Sequence, residues 1–210
     1  MIKPVLLATA LCLSPLLTGC SGSVDNTANA ETVAAISAKL PLLSGDHVWT
    51  VDRSQSQLKF MAEHNGDKFT GDFAVFDAAI KLDLDNPENG EIHAVIDLSS
   101  IDAKDDDRNA NLPSKAWFDM AAFPLATYSA RDISGDLTSG YSANGVLSIK
   151  GLERPVTLNF TVDLDGSNAA ASGTAQFSRT DFNLGTGSDF ETEDWVKFPV
   201  GVLINISATR

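Results

Sequence analysis

The chain has 210 residues, 43% of them hydrophobic, and a formal net charge of -13. That length suits one undivided all-β domain, and the apolar content is ample for a real core. With 15 basic residues against 28 acidic ones, it lacks the clustered Lys and Arg that nucleic acid demands. The same balance rules out electrostatic docking on anionic lipid.

Met1 to Lys3 supply a short positive start, and Pro4 to Leu17 an apolar run of signal-peptide length, too short to span a bilayer comfortably. Leu17-Thr18-Gly19-Cys20 resembles the lipobox of bacterial lipoproteins, which are cut before the cysteine and acylated on it. The alternative is an ordinary secretory signal with an incidental Cys20. On the lipobox reading residues 1–19 are a removed signal that takes Cys12 with it, and Cys20 carries the lipid. The mature chain then has no thiol left for redox or Cys-metal chemistry. Each buried methylene contributes roughly 0.8 kcal/mol, and more than one acyl chain makes such anchoring stable. Ser21, in place of the Asp that favours inner-membrane retention in lipoproteins, points to the outer membrane. The expected place is therefore the bacterial cell envelope, lipid-anchored and facing the periplasm.

Residues 20–45 are mostly small and polar and read as a lipidated tether, about 30 Å in reach as a coil. Glu31 to Leu40 also allows a helix that docks through Val33, Ile36 and Leu40. The folded domain is expected over residues 46–210. From His47 the apolar period is two. Leu58, Phe60 and Ala62 alternate with Lys59, Met61 and Glu63, and Val156, Leu158, Phe160, Val162 and Leu164 with polar neighbours. Val196, Phe198, Val200, Val202, Ile204 and Ile206 share one face near the end. Side chains switch faces at each strand residue, so each run has one dry and one wet face. A parallel sheet would instead show unbroken apolar runs.

Turn clusters at Asn65-Gly66-Asp67, Asn86 to Gly90, Ser134-Gly135-Asp136, Gly151-Leu152-Glu153 and Asp165-Gly166-Ser167 separate the strands. Strands are expected at 47–53, 56–64, 68–84, 91–99, 125–133, 140–150, 154–165, 170–181 and 195–209, the first being subsidiary. The fold class is all-β, an eight-stranded antiparallel barrel, whose interior either fills with side chains or holds one small ligand. Asp107 to Ser129 does not alternate. It places Trp117, Phe118, Phe123 and Tyr128 within 12 residues, beside Arg108 and two prolines. It is expected as a short helical insert that plugs one end and walls the interior.

The strand pieces then resemble the YceI-like family of bacterial periplasmic lipid-binding proteins, from about Trp49 to Ala208. The likeness is carried by Trp49-Thr50-Val51-Asp52, Ser56 to Phe60, His64, Gly71-Asp72-Phe73 and Ile96 to Asp102. It continues through Arg108, Leu112, Trp117-Phe118-Asp119, Phe123-Pro124, Gly145 to Gly151, Arg154-Pro155-Val156 and Arg179-Thr180-Asp181-Phe182. Asn109 and Asn111 stand where the family usually has Asp and His, removing charge there, and Asn183 replaces a Gly but can also adopt the left-handed conformation. The resemblance implies a lipocalin-like barrel that holds a long isoprenoid, a quinone or a fatty acid derivative, with no cofactor.

The candidate cavity residues are Phe60, Phe73, Leu98, Leu147, Leu158, Phe160, Phe177 and Phe182 on the strands, with Trp117, Phe118, Phe123 and Tyr128 from the insert. The alternative is that they pack on one another in a filled barrel, leaving an acidic outer face to meet an envelope partner. Arg108 and Arg179 are candidates to hold a head group bidentately, or to pair with Asp105 to Asp107 and Asp181. His64 is a donor to a quinone oxygen or part of a structural hydrogen bond. An enzyme would need His64 with an acid such as Asp181. His47, His64 and His93 lack metal-ligand spacing. Asp105-Asp106-Asp107 lacks the ligand pattern of a calcium loop and suits the start of a helix. Oligomeric state is open, with a homodimer among the options.

Overall fold

The computed structural model describes residues 24–187 and 189–210, so the signal segment, Cys12 and Cys20 lie outside the described residues. Ten antiparallel strands form one sheet. They are β1 Val48–His64, β2 Asp67–Phe73, β3 Phe76–Lys81, β4 Glu91–Asp97, β5 Ile101–Asp102, β6 Leu125–Asp136, β7 Gly140–Ile149, β8 Leu152–Asp165, β9 Asn168–Ser178 and β10 Pro199–Thr209. Eight of them close into a barrel in the order β1, β3, β4, β6, β7, β8, β9 and β10, with β1 pairing back onto β10. β2 and β5 extend the sheet beside the upper half of β1, along the edge that β3 occupies lower down. Closure removes the exposed strand edges that would otherwise template aggregation.

The expected strands at 47–53 and 56–64 are one. A bulge between Asp52 and Gln57 bends β1 without breaking it, and the Ser56 hydroxyl stitches it by donating to Asp52 O and accepting from Ser207 N. The expected strand at 68–84 is two. It breaks at Ala74 and Val75, whose amides turn to the backbone oxygen and the hydroxyl of Ser100. The Ser134 to Asp136 cluster is not a reversal. Gly135 has a φ of +120°, but β6 runs on to Asp136 and the chain turns at 137–139. Its tightest constraint is steric, since a Cβ on Gly135 would lie 2.1 Å from Gly140 O. The other four expected clusters do separate strands, three of them with a glycine at positive φ, Gly66, Gly151 and Gly166.

The segment read as a tether is instead largely a docked helix, α1 Val24–Ser37. Ile36 is buried against Val75 and Val95 on the outside of β3 and β4, with Val33 and Leu40 packed around it. Asp77, itself buried, accepts from the Ser37 hydroxyl, from Arg53 at 2.8 Å and from its neighbour's amide. A buried carboxylate is tolerable only when paired in this way.

One end of the barrel, called here the floor, packs solid around Trp49, Leu82, Leu84, Ile133, Tyr141 and Phe160. Its buried polar atoms are satisfied, Trp49 Nε1 donating to Leu82 O and the Tyr141 hydroxyl to Leu84 O, both at 2.9 Å. The opposite end is covered by two irregular segments, residues 103–124 and 179–198. The first holds a second helix, α2 Asp106–Asn111. The aromatic insert is thus shorter than expected, because Leu125 to Ser129 already belongs to β6.

Candidate functional site

Inside the barrel lies a cavity of about 450 Å³, lined almost wholly by carbon. That is within the roughly 300–1,000 Å³ of ordinary ligand pockets. The inward faces of the strands follow from their alternation. β1 contributes Leu58, Phe60, Ala62 and His64, β8 contributes Val156, Leu158, Phe160 and Val162, and β10 contributes Val200, Val202, Ile204 and Ile206. The interior is not filled, and β9 supplies a reason that residue type alone did not announce. Its inward positions are Ala169, Ala171, Gly173 and Ala175, followed only at the rim by Phe177. A wall of methyls and a hydrogen cannot reach the opposite strands. The signal was present as small residues at every second position, legible in side-chain volume rather than in hydrophobicity.

Of the residues expected around the cavity, Phe60, Phe73, Leu98, Trp117, Phe118, Tyr128, Leu147, Leu158, Phe160 and Phe177 line it. Phe123 and Phe182 do not. Phe123 lies outside, over the Lys150-Gly151 turn, where a Cβ on Gly151 would meet its ring at 2.9 Å. Phe182 is fully buried behind the wall, edge-on to Phe177 with centroids 5.2 Å apart. Beyond Ser178 the strand ends in a 3-10 turn, Arg179–Phe182, closed by Asn183 at a φ of 52°. Strand parity therefore no longer assigns a face there. Phe198, just outside β10, likewise leaves the inward row and stacks beneath Arg179, 5.1 Å from its ring centroid.

Tyr128 lies flat against the wall over Gly145, where a Cβ would sit 2.4 Å from its ring. Its hydroxyl donates to Ala143 O at 2.8 Å, with Val156 O at 3.2 Å. Burial pushes its pKa up to about 12, so it stays a neutral donor at physiological pH. Gly71 serves a similar end. A Cβ there would meet the Phe60 ring at 2.3 Å, so only glycine lets Phe60 swing against the β2 wall.

The polar lining gathers at one side of the upper end, where His64 closes β1 and α2 contributes Asp105, Asp107, Arg108 and Asn111. Asp105 and Asp107 are exposed although they line the cavity, so the cavity reaches the surface there. The acidic run is a helix start, as its composition suggested. Asp105 caps α2 by accepting from Arg108 N at 2.9 Å. That bond, with the Arg108 charge and more weakly His64 behind it, holds the Asp105 carboxyl below the usual carboxylate range against some desolvation. Arg108 donates twice to Ala103 O, at 3.2 and 3.0 Å, and its guanidinium lies 4.0 Å over the Phe69 ring. Asn109 and Asn111, the departures noted in the sequence, serve structure. Asn109 bridges Ala103 N and Asp102, and Asn111 donates back to Asp107 O. The His64 ring makes no hydrogen bond or ion pair with another described residue.

Arg179 lines the cavity but spends its donors on the backbone, and it is not the partner of Asp181. It is only 1% exposed, and its guanidinium donates to six backbone carbonyls. Nε reaches Lys197 O, Nη1 reaches Leu184 O and Gly185 O, and Nη2 reaches Phe190 O, Thr192 O and Val196 O, all between 2.8 and 3.3 Å. All five N–H groups are thereby used. Desolvation lowers its pKa, with Glu193 opposing part of the shift. Asp181 is exposed and off the cavity wall, so it cannot serve as the acid beside His64.

A YceI-like domain model matches residues 49–208. A Yersinia pestis protein named UPF0312 is 30% identical over 138 residues, 61% of this chain and 70% of its own length. The crystal structure of Burkholderia cenocepacia BcnA is 29% identical, covers 76% of this chain and 100% of its own, and superposes with a TM-score of 0.72. A polyisoprenoid-binding domain from Saccharophagus degradans, implicated in plant cell wall breakdown, shares the fold at 19% identity. It covers 77% of this chain and 97% of its own, with a TM-score of 0.57. The matched region takes in every barrel strand but the first residue of β1 and the last of β10, and the chain belongs to the YceI-like family.

Proposed function

We propose that this chain binds one long amphipathic lipid, isoprenoid-like or a fatty acid or quinone derivative, with its tail inside the barrel. It acts as a carrier or sequestering protein and not as an enzyme. The observation that carries this reading is the continuous apolar cavity, floored by Trp49 and Phe160 and open beside His64 and α2. Such a site recognises hydrocarbon by area. Burying ten methylenes offers roughly 8 kcal/mol, from which association subtracts several kcal/mol, so a long tail is needed for micromolar binding or better. The polyisoprenoid-binding function of the Saccharophagus degradans domain is consistent with this class of ligand.

The place we propose is the bacterial envelope, with Cys20 acylated and the barrel facing the periplasm from the outer membrane. Support comes from the signal-like start and Leu17-Thr18-Gly19-Cys20. The docked α1 then begins four residues after that cysteine. Metabolic labelling with a radioactive or clickable fatty acid tests the anchor, with Cys20→Ser abolishing incorporation. For the ligand, native mass spectrometry of gently purified protein should show added lipid mass, recoverable by organic extraction. Correctly folded protein that carries no lipid, and takes none up from vesicles, would refute the binding function.

A further inference from the structure

The charges at the cavity mouth make a more specific statement, which rests on the lipid-binding reading above. We propose that the mouth selects lipids with an uncharged head group, a hydroxyl or a quinone carbonyl, over phosphorylated lipids of the same chain length.

Two arginines border the cavity, and neither turns a free guanidinium fork toward an incoming anion. Arg179 has committed every N–H to backbone carbonyls. Arg108 spends Nε and Nη2 on Ala103 O, covers Phe69 with its face, and keeps Nη1 3.9 Å from the Asp105 carboxylate. The nearest lysine in sequence, Lys104, is held by Asp72 and Asp102 at 2.7 and 2.8 Å. Asp105 and Asp107, both exposed, are among the residues that line the mouth. A phosphate brought there would face two like charges and, among the residues that line the cavity, no arginine or lysine with its donors free. Anion recognition normally runs the other way, with guanidinium forks aimed at the incoming oxygens.

What the mouth does offer is neutral hydrogen bonding. The His64 ring lines the cavity with no hydrogen bond to another described residue, and Asn111 presents an amide whose carbonyl oxygen is uncommitted. An imidazole can donate to a carbonyl or exchange hydrogen bonds with a hydroxyl. Tail burial then supplies the affinity, and the mouth discriminates by excluding charge rather than by rewarding it. Specificity built on an element that repels the wrong ligand is a common solution where binding is otherwise unselective.

The test compares geranylgeraniol with geranylgeranyl diphosphate, titrated into the delipidated full chain in neutral detergent and followed by tryptophan fluorescence. The alcohol is expected to bind at least tenfold more tightly. Raising the salt concentration should narrow that gap by screening, and so should the double variant Asp105→Asn/Asp107→Asn, in which Asn keeps the helix cap. Equal or tighter binding of the diphosphate overturns the proposal. A gap unmoved by the double variant overturns the role given to the two carboxylates. Binding of neither lipid instead overturns the lipid-binding reading on which the proposal stands.

Discussion

Arg108 and Arg179 stand at the same end of the barrel, both in stretches that resemble the family, and they do opposite work. Arg179 is buried at the cavity's edge with each donor on a carbonyl, and it gathers residues 184–198 into a cover although that stretch has little regular structure of its own. Arg108 lies at the mouth, its side chain 26% exposed, stacked on Phe69 and only loosely neighboured by Asp105. An irregular segment has backbone oxygens that no ladder satisfies, and a buried one must find donors elsewhere. One planar cation with five donors can serve several at once. The contrast shows that an arginine near a ligand cavity is as readily a scaffold for loop carbonyls as a ligand contact.

The largest effect that this contrast predicts is at Arg179. Arg179→Met leaves several buried carbonyls without donors, each costing about 1–3 kcal/mol. Urea unfolding should therefore show a loss of about 3 kcal/mol or more, with faster amide exchange confined first to residues 184–198. Lysine there should recover little, having three donors on a point charge. A loss under 1 kcal/mol would mean that the cover holds itself.

Gly185 sharpens the same point with a smaller change. It has a φ of +73°, and a Cβ would stand 2.7 Å from Arg179 Nη1 and 3.1 Å from the Trp117 ring. Gly185→Ala should cost roughly 1–2 kcal/mol, the scale of forcing a side chain into left-handed backbone. At the other arginine the expected loss is below that at Arg179. Arg108→Ala removes a cation–π contact, about 0.5–1 kcal/mol, and the donors to one carbonyl, Ala103 O, and leaves exchange in 184–198 unchanged. If the two arginine variants proved equally destabilising, the contrast drawn here would be wrong.

The smallest effect is a pH dependence near Arg108. The Asp102 carboxyl is held well below the usual range, first by the Lys104 ammonium and then by the Asn109 amide. Asp105 is lowered as well, chiefly by the Arg108 amide. A carboxyl depressed in the folded state stabilises it above the unfolded pKa, about 3.9 for Asp, and that contribution is lost as pH falls through the folded value. Stability should thus be level from about pH 6 to about pH 5 and decline below it. Both groups face solvent, so the decline they cause is shallow. Asp102→Asn should remove part of it, as acid titrations of the two proteins would show.

Much of this molecule is written in its period of two. The inward rows of β1, β8 and β10 follow from alternation alone, and closure follows from their number and length. The docking of α1 was partly legible too. Val33, Ile36 and Leu40 form a helical stripe, and Val95 is apolar on the face of β4 opposite inward Ala94 and Ile96. What alternation cannot reach is chain outside the strands. Phe177 obeys parity and faces the cavity, whereas Phe182 follows a 3-10 turn and does not. Phe123 packs on a turn glycine from outside. The partners of Arg179 are backbone oxygens, and these carry no mark in the identity of the residues that own them. The emptiness of the barrel was recorded in β9, but in the smallness of Ala171, Gly173 and Ala175 rather than in any bulky residue.

That smallness supplies the most direct test of the central claim, that a lipid tail occupies the space β9 leaves open. Ala171→Leu/Ala175→Leu points two larger side chains into the cavity from one strand, leaving the mouth and both arginines untouched. Bound lipid per folded chain, measured by native mass spectrometry for the original and the filled protein, should fall from one to near zero while circular dichroism still reports the barrel. Undiminished lipid on the filled protein would place the ligand elsewhere and contradict the account.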